Sequence, residues 1–96
     1  FEMTRFAKRV DENQAISVQA LRDAGALVEV IHEPVDLRVW ADSTKQKFMF
    51  VEVKNLKTAY GRKGLNEKQI ADMAGHPYVM VTDVQGAKGA LKVLRA

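Results

Sequence analysis

The chain has 96 residues, which suits one domain with a modest core, and 47% of them are hydrophobic, as in ordinary globular proteins. The lack of cysteine excludes disulfides and thiolate zinc sites, and two histidines are too few for a histidine metal cage. No apolar run reaches membrane-spanning length. The net charge of +3 permits a nucleic-acid partner but does not by itself indicate one.

The first ten residues include a basic cluster formed by Arg5, Lys8 and Arg9. Such a cluster is either a solvated terminus or a contact to the phosphate backbone of a nucleic acid. Both interpretations stay open from the residues alone.

Residues 11–24 are mostly good helix formers, and Gly25 follows at the position typical of a helix C-terminus. A helical projection places Ile16 and Leu21 on one apolar arc, with Asn13 and Gln14 on the same arc. Buried amides need hydrogen-bond partners. Asn13 and Gln14 are therefore predicted either to bond the sheet or to belong to an active site.

Three strands are predicted next, at residues 26–31, 35–40 and 47–54, because β-branched, aliphatic and aromatic residues dominate them. A polar turn at residues 42–44 separates the second strand from the third. His32 lies where the first strand ends and is either a structural residue or a catalyst. Glu33 beside it is a possible additional metal ligand.

Three charged residues stand near the ends of the second and third apolar strands that the hairpin brings together. Asp36 begins one run, and Glu52 and Lys54 end the next. In an antiparallel hairpin the start of one strand lies beside the end of its partner, and residues two apart share a face. The pattern therefore predicts that two carboxylates and one ammonium converge at one end of the sheet.

This convergence has a chemical use. Two carboxylates can hold a hard cation such as Mg²⁺, which lowers the pKa of bound water and stabilises charge on a phosphate. Lys54 beside them could orient the attacking water or stabilise the transition state. The alternative is a solvated strand end, where a Glu-x-Lys pair contributes little.

The stretch at residues 55–64 is irregular and basic and leaves from the same end of the sheet. Substrate contact and an ordinary polar loop are both compatible with it. The candidates for nucleic-acid contact in this stretch are Lys57, Tyr60, Arg62 and Lys63.

Residues 66–74 are predicted to form a second helix, in which Asn66 caps the N-terminus and Gln69 completes a capping box. Ile70 of this helix is expected to face the core. Residues 78–81 are predicted to form a buried strand, and a last helix follows that Thr82 or Asp83 caps.

Several short motifs in this order resemble the small phage and prophage VRR-NUC domain proteins, which are nucleases with a PD-(D/E)xK signature. The family usually has proline directly before the aspartate, whereas Val35 stands here and Pro34 lies one position earlier. The motifs that carry the resemblance are Asp11-x-Asn13-Gln14, Ala20-Leu21-Arg22-x-Ala24-Gly25-Ala26, Asp36-Leu37-x-Val39, Glu52-Val53-Lys54, Arg62-Lys63 and Leu65-Asn66-x-x-Gln69.

The resemblance implies a single α/β domain over residues 1–96. Its restriction-endonuclease-like αβββαβ core would hold a mixed sheet flanked by helices, and a C-terminal helix would follow. It also implies a Mg²⁺- or Mn²⁺-dependent endodeoxyribonuclease without any other small-molecule cofactor. Asp36, Glu52 and the backbone carbonyl of Val53 would bind the metal, and Lys54 would assist catalysis. Gln69 would lie near that lysine, and Asn13 and Gln14 of the first helix would belong to the active site.

The same resemblance suggests a four-way DNA junction as substrate, a homodimer with two sites, and the cytoplasm of a bacterium or phage-infected host as location. Two alternatives remain. One is a non-catalytic nucleic-acid-binding or assembly module that keeps the fold, and the other is a sequence-specific restriction-type enzyme, for which little chain is left to read bases.

Overall fold

The computed structural model describes residues 12–54 and 64–96 of the chain. Within these two ranges, seven elements follow one another in the order α-β-β-β-α-β-α, as the sequence predicts. Their bounds are α1 Glu12–Asp23, β1 Leu27–Val30, β2 Leu37–Trp40, β3 Phe48–Val53, α2 Glu67–Met73, β4 Tyr78–Val81 and α3 Val84–Arg95.

The strands form one four-stranded mixed sheet in the order β1-β2-β3-β4. The first three strands make an antiparallel meander, in which Leu37 pairs with Val51 across β2 and β3. The α2 crossover then brings β4 parallel to β3, so that Glu52 pairs with Met80. The protein is therefore an α/β fold, and in the described part of the chain three helices flank a mixed sheet.

One face of the sheet packs against α1 and α3 and forms the larger core. Alternate residues of each strand point to this face, because side chains in a strand alternate between the two sides. Its buried members include Leu21 of α1, Leu91 of α3 and, from the sheet, Val28, Leu37, Val39, Met49, Val51, Val53 and Val81.

The opposite face is covered in part by α2. Met73 of that helix is fully buried against Val35 and Phe50, and Phe48 packs at the margin of this smaller cluster. Asp36 and Glu52 belong to the same face by alternation. The second cluster thus packs on the same face of the sheet as the two carboxylates.

Both predicted helix caps are present. The Asn66 side chain accepts a hydrogen bond from the N–H of Gln69, and the Gln69 side chain accepts one from the N–H of Asn66. Asp83, rather than Thr82, caps α3 by accepting from the N–H of Gly86 at 2.7 Å. Gly25 follows α1 with a φ of 92°, a conformation that glycine adopts without a steric penalty.

Three expectations about burial are wrong. Ile16 of α1 is exposed, because the helix turns Ser17, Val18 and Leu21 to the sheet instead. Ile70 of α2 is exposed, since only Met73 of that short helix reaches the core.

The third wrong expectation concerns the last strand. Among the described strands β4 lies at the edge of the sheet and is not buried, and its Tyr78 and Met80 side chains are exposed. Among the described residues no helix is long and apolar enough to span a membrane.

Candidate active site

Asp36 and Glu52 meet at one end of the sheet, as the hairpin geometry predicts. Asp36 lies just before β2, and Glu52 is the fifth residue of β3. The N–H of Asp36 donates to Oε1 of Glu52 at 3.2 Å, and the N–H of Val53 donates to Oδ2 of Asp36 at 2.8 Å. Each carboxylate is therefore fixed by a backbone group that belongs to the other strand.

Lys54 completes the cluster directly after β3. Its Nζ lies 3.2 Å from Oε2 of Glu52, and the two side chains are only 10% and 11% exposed. The N–H of Lys54 also donates to the carbonyl of Val81 at 2.9 Å, which extends the pairing of β3 with β4. A buried ammonium and carboxylate need each other, because either charge alone would be costly to desolvate.

The pKa of the Asp36 carboxyl is raised to about 6. Burial is the main cause, and the neighbouring Glu52 carboxylate adds to it, while the N–H of Val53 and the Lys54 ammonium act in the opposite direction. Two carboxylates this close disfavour simultaneous ionisation. A bound cation would relieve that repulsion.

The backbone at Val53 is directed toward the Asp36 segment. Because the N–H of Val53 points toward Asp36, its carbonyl lies on the same side of the strand. The described residues contain no group of three or more Asp, Glu, His or Cys side chains that could hold a metal. A metal here would have Asp36, Glu52 and this carbonyl as ligands, which fits Mg²⁺, since that ion usually retains several waters.

Asn13 joins the first turn of α1 to the end of the sheet. Its Nδ2 donates to the carbonyl of Lys54 at 3.0 Å and to the carbonyl of Thr82 at 2.8 Å. The amide therefore bonds the sheet, as the first of the two interpretations predicts, and it does so at the candidate catalytic lysine. Gln14, the next residue of α1, is half-buried.

Gln69 links α2 to the segment that carries Asp36. Besides its role in the capping box, its Nε2 donates to the carbonyl of Pro34 at 2.9 Å. Pro34 lies two residues before Asp36, and the peptide bond between Glu33 and Pro34 is cis. Gln69 thus fixes the backbone of the Asp36 segment through Pro34 and not through a bond to either carboxylate.

His32 and Glu33 are both exposed. They line a polar cleft of about 300 Å³ beside Gln69, together with residues of α2 such as Lys68 and Asp72. The structure thus places these two candidates beside the Asp36 segment and not among the groups that contact Glu52.

The residues that the sequence predicts to contact nucleic acid lie outside the described residues. They are Arg5, Lys8, Arg9, Lys57, Tyr60, Arg62 and Lys63.

Sequence reasoning missed the backbone groups that hold this cluster. The carbonyls of Pro34 and Thr82 accept from Gln69 and Asn13, and no side-chain pattern marks a carbonyl. It also missed Arg38, which shares the face of Asp36 and whose guanidinium lies 5.7 Å from the ring centre of Phe48. The two-residue alternation from Asp36 could have revealed that placement.

No protein-family model, curated protein or solved structure matches this chain.

Proposed function

We propose that the protein is a metal-dependent endonuclease that hydrolyses DNA phosphodiester bonds. The observation that carries this proposal is the convergence of Asp36, Glu52 and Lys54 at one end of the sheet, where Glu52 and Lys54 are buried and Asp36 is half-buried. A solvated strand end would leave these side chains in water. Here the backbone fixes the carboxylates, and burial raises the pKa of Asp36.

Asp36, Glu52 and the carbonyl of Val53 would hold Mg²⁺ or Mn²⁺. When bound, the ion supplies a more acidic water and stabilises negative charge on the phosphate. The carboxylates must stay in place while they share the ion. Their hydrogen bonds to the N–H groups of Asp36 and Val53 supply that rigidity.

Lys54 would orient the attacking water or stabilise the charge that develops on the phosphate. Its ammonium contacts the Glu52 carboxylate, which would also be a metal ligand. The ammonium would therefore lie next to the metal. Because the Lys54 and Glu52 side chains are buried, a positive charge acts more strongly there than in water.

Asn13 and Gln69 would support the site by holding its backbone. Asn13 fixes the carbonyl of Lys54, and Gln69 fixes the carbonyl of Pro34, so each acts on the segment that bears a candidate catalytic side chain. Gln14 would contribute to the same polar shell from α1.

The resemblance to VRR-NUC proteins supplies the finer part of the proposal. It favours a restriction-endonuclease-like core, a homodimer, a four-way DNA junction as substrate and the cytoplasm of a bacterium or infected host. The order of elements, three antiparallel strands followed by a helix and a parallel strand, is compatible with that core. The basic residues near the N-terminus and at positions 57–63 would contact the DNA backbone.

A cleavage assay tests the proposal. End-labelled four-way junction, flap, duplex and single-stranded DNA would be incubated with Mn²⁺ or Mg²⁺ and the wild type, Glu52→Gln, Lys54→Met or Lys68→Met. Lys68 is a matched control because it is an exposed lysine paired with Asp72 on α2. We expect paired nicks in the junction from the wild type and Lys68→Met, and none from the other two variants.

Cleavage of flaps or ends instead of junctions would retain the nuclease and overturn the junction substrate. Absence of metal-dependent cleavage at saturating protein would overturn the nuclease. Circular dichroism of each variant would show that a loss of cleavage is not a loss of fold.

One observation favours a non-catalytic nucleic-acid-binding module as the second candidate. The described residues offer only two carboxylates to a metal, and one of them is already paired with Lys54. Calorimetry separates the two candidates. Mn²⁺ binding that Glu52→Gln abolishes supports the nuclease, whereas DNA binding without any Mn²⁺ site supports the module.

A further inference from the structure

Three aromatic rings lie side by side on the sheet face that carries Asp36 and Glu52. Trp40 of β2 pairs with Phe48 of β3, and their ring centres are 4.8 Å apart. The ring centre of His76, two residues before β4, lies 4.9 Å from that of Phe48. These three rings, which we call the aromatic row, therefore cross the sheet at the end opposite to the two carboxylates.

Two cations accompany the aromatic row. The Arg38 guanidinium lies 5.7 Å from the ring centre of Phe48, and the Lys45 ammonium lies 5.8 Å from that of Trp40. Both distances are within the range of cation–π contacts. The Arg38 side chain is 37% exposed and Lys45 is exposed, so both charges remain accessible at the rings.

Glu29 of β1 orients two members of this surface. Its Oε1 accepts from Nη1 of Arg38 at 3.2 Å and from Nε1 of Trp40 at 3.1 Å. The hydrogen bond from Trp40 lowers the pKa of the Glu29 carboxyl, and the charges of Arg38 and Lys45 act in the same direction. The indole and the guanidinium are thus held in place before any ligand binds, which reduces the entropy that binding costs.

Completion of the core does not account for the aromatic row. A ring that only completes the core is buried, as Phe50 is where it packs against Met73. Trp40 and Phe48 are instead half-buried, and His76 is exposed. Aromatic surface is therefore kept at the boundary with solvent, next to two cations.

Rings and cations in this combination suit an unpaired nucleic-acid strand. Any base can stack on an aromatic ring, and the phosphates of the same strand are attracted to lysine and arginine. A base inside a duplex offers only its edges, because its two faces already stack on neighbouring bases. The aromatic row therefore fits bases that are free of a complementary strand.

We propose that this surface binds an unpaired stretch of DNA. Its bases would stack against Trp40, Phe48 and His76, and its phosphates would lie near Arg38 and Lys45. This inference rests on the nucleic-acid partner of the proposed function and not on cleavage. It goes beyond that function because it assigns one part of the DNA, the unpaired strand, to one face of the protein.

The position of the surface sets a distance to the cut. Phe48 and Glu52 are four residues apart on β3, which corresponds to about 13 Å. Met73 of α2 packs on Phe50 between them, so a bound strand would have to pass this helix. At about 3.4 Å per stacked nucleotide, at least about four nucleotides would separate the stacked bases from the cut.

Fluorescence of Trp40 tests the proposal directly, because it is the only tryptophan of the chain. An oligothymidylate of about 12 nucleotides would be titrated into the wild type without metal, and fluorescence anisotropy of a labelled copy would measure binding. We expect the bases to quench the Trp40 emission, with saturation at the same concentration as the anisotropy. A duplex of equal length is the control and is expected to quench much less.

Lys45 and Lys47 provide a matched pair of variants. Lys45 lies over Trp40, whereas Nζ of Lys47 donates to the carbonyl of Ala96, and both lysines are exposed. Asparagine suits position 45, where φ is 58°. We expect Lys45→Asn to raise the dissociation constant of the oligothymidylate about threefold to tenfold, and Lys47→Asn to raise it less than about twofold.

His76→Ala tests the stacking part of the surface. It removes one ring of the aromatic row from an exposed position, so the fold should tolerate it, and circular dichroism checks this. Because each stacked base contributes substantially to the affinity for single strands, we expect the dissociation constant to rise at least about fivefold.

Unchanged Trp40 emission at saturating oligothymidylate would overturn the proposal, and so would equal quenching by the duplex or equal effects of the two lysine variants. None of these measurements uses metal or cleavage. Quenching by a protein that never cleaves would retain the surface and overturn the nuclease. Cleavage of DNA by a protein whose Trp40 emission does not change would do the reverse.

Discussion

Asp36 and Glu52 are linked through the backbone, although their charges repel each other. The N–H of Asp36 donates to Glu52, while the Asp36 carboxylate accepts from Val53, the residue after Glu52. This reciprocal arrangement connects β3 to the segment before β2 and keeps both carboxylates at the same sheet end. The resulting proximity destabilises their doubly ionised form, and that cost can be measured.

Replacing Asp36 with asparagine should stabilise the protein at neutral pH. The pKa of Asp36 is raised to about 6 in the fold, above its ordinary value of 3.8, so the folded state binds the proton more tightly than the unfolded state. The stabilisation from that proton is complete below pH 3.8 and is lost as the pH rises through 6. Wild type therefore carries a penalty above pH 6 that Asp36→Asn lacks.

Urea unfolding at pH 7.5 and pH 4 measures the effect. Because solvent reaches and screens Asp36, we expect Asp36→Asn to gain about 1–2 kcal/mol at pH 7.5 and little at pH 4. Asp72→Asn on exposed α2 is the control, with no comparable gain. A variant that is less stable than wild type at pH 7.5 would contradict the assignment of this penalty to Asp36.

Removing the Lys54 ammonium should have the opposite effect. Lys54→Met leaves two adjoining carboxylates without this cation, so we expect a loss of about 2–3 kcal/mol at pH 7.5. The loss should shrink near pH 5, where Asp36 is mostly protonated and less negative charge remains. Denaturant unfolding at the two pH values measures it.

Lys68→Met is the control for this variant. Its partner Asp72 is on an exposed helix surface, and such pairs contribute at most about 0.5 kcal/mol. A pH-independent loss in Lys54→Met would indicate that Lys54 acts through its ion pair with Glu52 and not through the charge of Asp36.

The elements and the carboxylate cluster could be predicted from the sequence because local signals determine them. Apolar β-branched runs mark β2 and β3, the Asn66–Gln69 box marks the start of α2, and the two-residue strand period puts Glu52 and Lys54 on one side. The antiparallel hairpin then brings Asp36 to them. These steps need no knowledge of distant parts of the chain.

Burial of particular side chains could not be predicted in the same way. Ile16, Ile70 and Tyr78 are apolar, yet each is exposed, because the position of an element in the fold decides which of its faces is covered. β4 is apolar enough for a central strand but is the last of the described strands in the sheet. Strand order depends on the crossover, which hydrophobic periodicity does not encode.

Gln69 offers a test that separates helix capping from support of the Asp36 segment. Gln69→Glu keeps an acceptor for the N–H of Asn66 but turns a carboxylate toward the carbonyl of Pro34, where Nε2 now donates at 2.9 Å. Glutamate is equally suited to a capping box, so capping alone predicts no loss. We expect a loss of about 1–2 kcal/mol in thermal or urea unfolding.

Asn66→Asp is the matched control because aspartate caps helices as well as asparagine does. It should retain wild-type stability within about 0.5 kcal/mol. Wild-type stability in Gln69→Glu as well would show that the bond to Pro34 contributes nothing and that Gln69 acts only as a cap.

Asn13 distinguishes a hydrogen-bonded support from an acidic ligand. Its Nδ2 donates to two carbonyl oxygens, those of Lys54 and Thr82. Asn13→Asp would place an acceptor against two acceptors, so we expect the free energy of unfolding to fall by about 2–3 kcal/mol. For Asn13→Ala we expect a smaller loss of about 1–2 kcal/mol. Urea unfolding of both variants measures the difference, and calorimetry with Mn²⁺ shows whether the new carboxylate binds metal. Because the amide bonds the backbone through its donor, we expect no gain in Mn²⁺ affinity from Asn13→Asp; a tighter site with unchanged stability would instead make position 13 a third metal ligand.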